Sequence, residues 1–557
     1  MSNRQTIGEA LVTAADTHFG LRFIEHDATT KVTSYRDLLA DALSIAGALR
    51  AHGYTPGDHV ALVIPEVSRF VHAFFGIVAA GLVPVPLCPP AQAGDVATFA
   101  KQSLHIIGAS RAVAVLTTDD VAPLLHASAG HPDAGGALSQ TFHTLEQLRT
   151  GDAPLASPVA LTLDDIALLQ FTSGSTALPK GVVLSHGNIA ANVEAILGPS
   201  GLDARAGDVA VSWLPLYHDM GLIGMLLSSL YAPADAVLMS QVLFLKRPSA
   251  WLDAISTWGG TVSYAPNFAY DLCRRRVKSS QLAALELSRW RVAGCGAEPI
   301  RPDTLMQFAD YFAPAGFAAS SFLPSYGLAE HSLAVSFAHG GLDVDVVDAE
   351  LLVQESRAVP VTNGSASLRI VRCGEPFPGH AVRIVDEAFN ELPERHVGSI
   401  VAAGPSVMQG YFEQPDATAG ALRNGWLQTG DLGYMANGSL YLCGRSKDLI
   451  IRQGRKYYPP DIESSLADLQ GVALSGVVVF AITTVGDTDE VVAVIEIRAG
   501  GRRPDIEEAV RRRVRETAGL DIDRVILTPP GTIPRTTSGK VRRSETRERL
   551  EAGTLVR

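Results

Sequence analysis

Four hydroxyl side chains, two glycines and a lysine are concentrated in the run Phe171-Thr-Ser-Gly-Ser-Thr-Ala-Leu-Pro-Lys-Gly181. Thr172, Ser173, Ser175 and Thr176 offer hydroxyls, and Gly174 lets the backbone bend so that its N–H groups close around an anion. Lys180 adds a charged donor for phosphate oxygens. The run is not a Walker A loop, because Lys180 precedes its glycine and no helix-opening Gly-Lys-Ser/Thr follows. Taken alone, it also fits an ordinary Ser/Thr/Gly turn.

Further motifs follow in order: Tyr326-Gly-Leu-Ala-Glu330, Thr429-Gly-Asp431, Gly444-Arg-Ser-Lys-Asp448 and Pro534-Arg-Thr-Thr-Ser-Gly-Lys540. Each is weak singly. Their order and spacing together resemble the adenylate-forming superfamily of acyl- and aryl-CoA ligases, luciferases and peptide-synthetase adenylation domains. The resemblance runs from about residue 10 to the end of the chain.

That resemblance implies a reaction. A carboxylate is a poor electrophile, and attack on the α-phosphate of ATP converts it to an acyl adenylate with release of pyrophosphate. Such chemistry needs a phosphate cradle, a metal, a positive group at the attacked phosphate and an adenosine site. By resemblance, Thr172, Ser173, Gly174, Ser175, Thr176 and Lys180 cradle the β- and γ-phosphates. Glu330, with Thr176, holds Mg²⁺, for which a hard oxygen donor is the right type. Gly296, Ala297 and Glu298, in Gly294-Cys-Gly-Ala-Glu-Pro299, border the purine, on which Tyr326 beside Gly327 can stack. Asp431 accepts the ribose hydroxyls, and Arg445 also reaches the ribose. Lys540 bridges the substrate carboxylate and the α-phosphate, and His218 stands near the acyl entrance. A lone histidine is more often structural, so His218 rests on the resemblance alone.

Two segments point to one branch. Trp213-Leu-Pro-Leu-Tyr-His-Asp-Met-Gly221 and Ala265-Pro-Asn-Phe-Ala-Tyr-Asp-Leu-Cys273 look like the fatty-acyl-AMP ligase versions of these regions. Residues 338–368 form a long connection where most CoA ligases have a short one, similar to the insertion of that branch. A surface excursion explains such a segment equally simply, since loops tolerate insertions. Lys180 departs from several acyl-AMP ligases and follows the CoA-ligase pattern. The implied function is activation of a fatty acid to acyl-AMP, followed by transfer to a phosphopantetheinylated acyl carrier protein or a polyketide or peptide synthetase, in lipid metabolism. The alternatives are a long-chain fatty-acyl-CoA synthetase and a non-catalytic nucleotide or acyl-adenylate sensor. A sensor need not keep Lys540, Glu330 and Asp431 together.

The elements that must position these residues are legible more coarsely. The 557 residues are 47% hydrophobic and 19% charged, an ordinary globular composition long enough for several domains. A net charge of −12 argues against a general nucleic-acid binder. Residues 70–88 are apolar for about the length of a membrane span. They contain His72 and two prolines, and Gly81 divides them, so a buried helix followed by a buried strand is expected. No basic-then-apolar amino terminus reads as a signal peptide. Five scattered cysteines without metal-ligand spacing read as reduced core thiols, and with them a cytoplasmic location is expected.

Helical patterns alternate with Val/Ile/Leu-rich runs such as 60–64, 83–87 and 112–116, which predicts parallel sheets covered on both faces. Past Gly364 the pattern shifts to short strands and turns at 381–385, 398–402 and 438–442. With the resemblance, the expected fold is α/β: a large domain, 1–445, of two αβ sheets plus a distorted β-barrel, and a small mobile α+β domain, 446–557. Strands over 477–480 and 491–497 and an amphipathic helix over 504–518 are expected in the latter, with a hinge near Arg445–Lys447. The basic runs 510–515 and 542–549 read first as solvated faces and second as a docking site for an acidic carrier protein. No Leu-Gly-Gly-x-Ser carrier motif is visible.

Overall fold

The computed structural model describes residues 4–90, 96–129, 140–148, 153–172, 179–361, 367–452, 455–467, 469–483, 489–498, 503–536 and 540–555. The central element is a nine-stranded sheet. Its strands run in the order Glu375–Pro376, Ala334–Phe337, Phe322–Gly327, Val292–Cys295, Val262–Ala265, Val209–Ser212, Asp235–Met239, Gly20–Ile24 and Thr30–Ser34. The six strands from Phe322–Gly327 to Gly20–Ile24 are parallel, and antiparallel strands close both edges. Their side chains are buried on both faces, as a parallel sheet covered by helices requires.

A second, four-stranded parallel sheet has the order Val83–Pro86, His59–Leu62, Ala114–Thr117, Thr141–Thr144. Residues 70–88 divide as expected. Helix Val67–Ala79 buries Phe74, Phe75 and Ile77 completely, Gly81 turns the chain at φ +76°, and strand Val83–Pro86 follows. No described helix is long and apolar enough to cross a membrane.

Strands Ile166–Phe171 and Gly181–Ser185 form an antiparallel hairpin around the hydroxyl-rich run. A third, two-residue strand, Gly410–Tyr411, pairs with it through Val182 and Val183. The β-rich region is an antiparallel sheet built on the long strand Trp426–Ala436, which pairs with Gly398–Ala403, Leu422–Arg423 and Ser439–Arg445, while Ala381–Val385 pairs with Gly398–Ala403.

The C-terminal portion carries the hairpin Ile450–Arg452/Arg455–Tyr457 and a sheet of Val472–Thr483, Asp489–Ile497 and Arg524–Thr528. Val477 and Val479 face one core with Ile506, Val510 and Val514 of helix Arg503–Ala518. Val478 and Phe480 face the other, with Ile533 and Leu555. The period of two along the strand and of four along the helix thus place each apolar set.

The described residues of the segment 338–368, namely 338–361 and 367–368, are woven into the fold. Strand Val344–Asp348 pairs with Ser367–Val371, and helix Ala349–Glu355 joins them on one side. Val347 and Leu352 are fully buried in a cluster with Tyr434, Tyr441 and Tyr458. Val353 packs instead against the core of the C-terminal sheet, and Lys456 Nζ donates to Ser356 Oγ at 3.3 Å. The segment therefore touches both parts of the molecule.

Candidate active site

Two cavities, of about 360 and about 300 Å³, meet along a shared wall made by Ala297, Ser325, Tyr326, Gly327, Arg445 and Lys540. The wall stands at the C-terminal ends of strands Val292–Cys295 and Phe322–Gly327, where open parallel sheets bind ligands. Local geometry dictates its small residues. A Cβ on Gly327 would lie 2.0 Å from the Leu333 carbonyl oxygen, so only glycine permits that approach. Ala297 takes the left-handed conformation at φ 71°.

The first cavity is lined by both polar and apolar side chains. Thr172, Lys180, His218, Glu330 and Lys540 belong to the polar part of its lining, and Ile196, Met220, Leu333 and Phe337 to the apolar part. An anionic head with a hydrocarbon tail fits that mixed lining. His218 and Asp219 precede Met220–Leu227, a stretch with π-helical hydrogen bonding. Such widened turns concentrate at functional sites.

Burial drives the His218 imidazole down to about 3, and the nearby Lys540 ammonium adds to the effect. His218 is therefore neutral at ordinary pH and can orient a substrate by hydrogen bonding without acting as an acid. The same enclosure lowers the Lys540 ammonium, a shift opposed chiefly by the Asp219 carboxylate. Asp219 is raised by burial and held back by Lys540. The loop carrying Lys540 closes on itself: the Lys540 amide donates to Thr536 Oγ1 at 3.0 Å and Thr536 N donates to the Lys540 carbonyl at 2.7 Å.

The second cavity holds the remaining polar set. Tyr326 Oη donates to Asp431 Oδ2 at 2.8 Å, and Arg445 Nε pairs with Asp431 Oδ1 at 3.2 Å. Burial raises the Asp431 carboxyl, and Arg445 offsets part of that. Each carboxylate oxygen keeps a further lone pair for a diol. Tyr326 is 5% exposed and lines both cavities. Glu298 Oε1 accepts from Asn267 Nδ2 at 3.1 Å, and Gly296 reaches the first cavity only.

Thr172 and Lys180, the described ends of the hydroxyl-rich run, are joined by Thr172 N donating to the Lys180 carbonyl at 3.0 Å. Ser173, Gly174, Ser175 and Thr176 lie outside the described residues. Glu330 is held by Tyr411, whose Oη donates to Glu330 Oε1 at 2.8 Å. Among the described residues no group of three metal-ligating side chains forms. Glu330, in a cavity also lined by Asp219 and by Lys180, Lys447 and Lys540, suits a cation that arrives on phosphate oxygens, as Mg²⁺ does.

Sequence reasoning missed Asp219 and Tyr411. Asp219 adjoins His218 in a quoted motif and was within reach. Tyr411 belongs to no motif, and only the three-dimensional pairing reveals it. The basic runs are largely engaged within the C-terminal portion. Arg513 donates to the Ser465 carbonyl, Arg515 pairs with Asp521, and Arg543 pairs with Asp448 and Glu463.

The model of the AMP-binding enzyme family matches residues 13–412. A Caulobacter vibrioides protein with the provisional name acyl-CoA synthetase is 38% identical, covering 99% of this chain and 96% of its own. The long-chain-fatty-acid–AMP ligase FadD26 of Mycobacterium marinum is 34% identical over 93% of this chain and 91% of its own. A solved structure from studies of fatty acyl-adenylate ligases of E. coli and L. pneumophila superposes with a TM-score of 0.90 at 37% identity, covering 99% of this chain and 98% of that one.

Proposed function

The chain belongs to the AMP-binding enzyme family, in its fatty-acyl-AMP ligase branch, and from that premise we propose how its cavities carry the reaction. It activates a fatty acid with ATP to acyl-AMP. The observation that carries the residue-level reading is the meeting of a cavity with apolar side chains in its lining and a cavity lined by Asp431, Arg445 and Tyr326 at one shared lysine, Lys540.

In this reading the hydrocarbon tail lies against Ile196, Leu333 and Phe337, and the carboxylate points at Lys540. Asp431 and Arg445 hold the ribose. A carboxylate oxygen forms a bond to the α-phosphorus as the bond to the bridging oxygen of pyrophosphate breaks. Both electrons of that bond leave with pyrophosphate, and no proton transfer is needed. Lys540 places its ammonium where negative charge gathers, and its low-dielectric surroundings strengthen the effect. Neutral His218 donates or accepts a hydrogen bond without adding charge. Glu330, Lys180 and the hydroxyl-rich run receive the β- and γ-phosphates. Mg²⁺, when bound through Glu330, supplies charge neutralisation at those oxygens.

We place the domain boundary at 445/446, supported by the end of strand Ser439–Arg445 there and by the separate core that begins at Ile450. The acceptor we propose is a phosphopantetheine thiol on an acyl carrier protein or synthetase. The contact of Val353 with the C-terminal core supports it, because a tied C-terminal domain disfavours the rearrangement that free CoA requires.

The test is ATP–pyrophosphate exchange over a panel of fatty acids, with acyl-AMP identified by mass spectrometry. Exchange that depends on the acid and disappears in Asp431→Ala supports the reading. Acid-dependent exchange that survives in that variant would remove Asp431 from the nucleotide site.

A further inference from the structure

Tyr411 sits between two groups that the proposed reaction uses at the β- and γ-phosphates. Its Oη donates to Glu330 Oε1 at 2.8 Å, and the face of its ring carries Lys180 Nζ 4.7 Å from the centroid. All three side chains line the same cavity. The backbone fixes this placement. Met408 N donates to the Glu330 carbonyl at 2.9 Å, Gln409 N to the Val183 carbonyl at 3.0 Å, and Phe412 N to the Gly181 carbonyl at 2.8 Å. The short strand Gly410–Tyr411 thus stitches the turn bearing Glu330 to the strand that follows Lys180.

The chemistry explains why a tyrosine is needed. Glu330 and Lys180 carry opposite charges and face one cavity, yet no ion pair joins them among the described residues. Left unrestrained, they would attract and neutralise each other. The phenol hydroxyl occupies one carboxylate oxygen, and the ring face offers the ammonium an alternative partner. Glu330 lines the cavity, and its Oε2 has no hydrogen-bond donor among the described residues. We propose that Tyr411 is a positioning residue that keeps Glu330 and Lys180 apart and charged, so that nucleotide phosphates and the cation they carry meet a preset pair. The inference rests on the assignment of Glu330 and Lys180 above.

The experiment is calorimetric binding of ATP to the full chain without fatty acid, over a range of Mg²⁺ concentrations. Tyr411→Phe keeps the ring and removes the hydroxyl. It should raise the Mg²⁺ concentration for half-maximal ATP binding by about 10- to 100-fold, the usual loss when a hydrogen-bonded partner of a ligating carboxylate is removed. Its thermal midpoint should stay at the wild-type value. Tyr411→Leu removes the ring as well and should also weaken binding of inorganic pyrophosphate. Adding Lys180→Ala to Tyr411→Leu should then cost less than Lys180→Ala costs in the wild-type background. A wild-type Mg²⁺ midpoint in Tyr411→Phe, or full additivity of Lys180→Ala with Tyr411→Leu, would overturn the proposal. ATP binding by the wild-type chain that ignores Mg²⁺ would instead remove the role of Glu330, and with it the basis of the inference.

Discussion

Removing the Lys540 ammonium separates its electrostatic role from folding. Burial already disfavours the charged form, so Lys540→Ala relieves a cost in the free protein and should leave the thermal midpoint unchanged or higher. Acyl-AMP formation should fall by about 10²- to 10³-fold, as for loss of one preorganised charge-stabilising donor. Near-normal acyl-AMP formation would sink the assignment. His218 makes a second case. With its imidazole near 3, it stays neutral from pH 5 upwards and contributes no limb to the pH–rate profile near its ordinary value. A limb at pH 6–7 that vanishes in His218→Ala would show that the ring titrates there. At this scale the sequence was most informative where a residue sits in a run of unusual composition. Lys540, Glu330 and Asp431 stand out in that way, whereas Tyr411 acts through a partner 81 residues away and carries no local mark.

Elements differ in how far their sequence announces them. The hairpin around the hydroxyl-rich run and helix Arg503–Ala518 follow from local apolar periodicity, and both are observed. Strand Gly410–Tyr411 is two residues long and exists only because Val182 and Val183 offer an edge, so no window on the chain could show it. The weave of residues 338–368 was hidden for a related reason: Val347 and Leu352 are buried by tyrosines that lie far along the chain. Helix Pro459–Leu466 illustrates a further conflict. Asp461, in its first turn, is raised to about 7 by burial, with Glu463 adding repulsion. Its usual value is 3.8, so the folded protein holds this proton where the unfolded chain does not. The stabilisation is complete below about pH 4 and is lost as pH rises through about 7. Asp461→Asn should therefore flatten the fall of the thermal midpoint between pH 4 and pH 7. An unchanged slope in that window would show that Asp461 does not titrate there.

At the scale of the whole molecule, the question is what holds the C-terminal domain against the rest. Helix Ala349–Glu355 contributes Leu352 to one core and Val353 to the other. Deleting all of residues 338–368 is a poor probe, because it strips a strand and fully buried side chains, each costing about 2–5 kcal/mol when truncated. Val353→Asp is the sharper variant. The unmodified protein should make acyl-AMP with little acyl-CoA, and Val353→Asp should raise CoA turnover while leaving pyrophosphate exchange intact. Efficient acyl-CoA synthesis by the unmodified chain would promote the CoA-synthetase reading.

The apolar side chains Ile196, Met220, Leu333 and Phe337 in the lining of the first cavity all come from the large domain, while Lys540 comes from the small one. On the proposed reading, selection of the acid and completion of the catalytic centre are encoded in separate stretches of the gene. Drift or recombination in one stretch can retune the repertoire of acids without redesigning the other. Chimaeras joined at the domain boundary should inherit their acid preference from the first 445 residues, whichever relative donates the remainder.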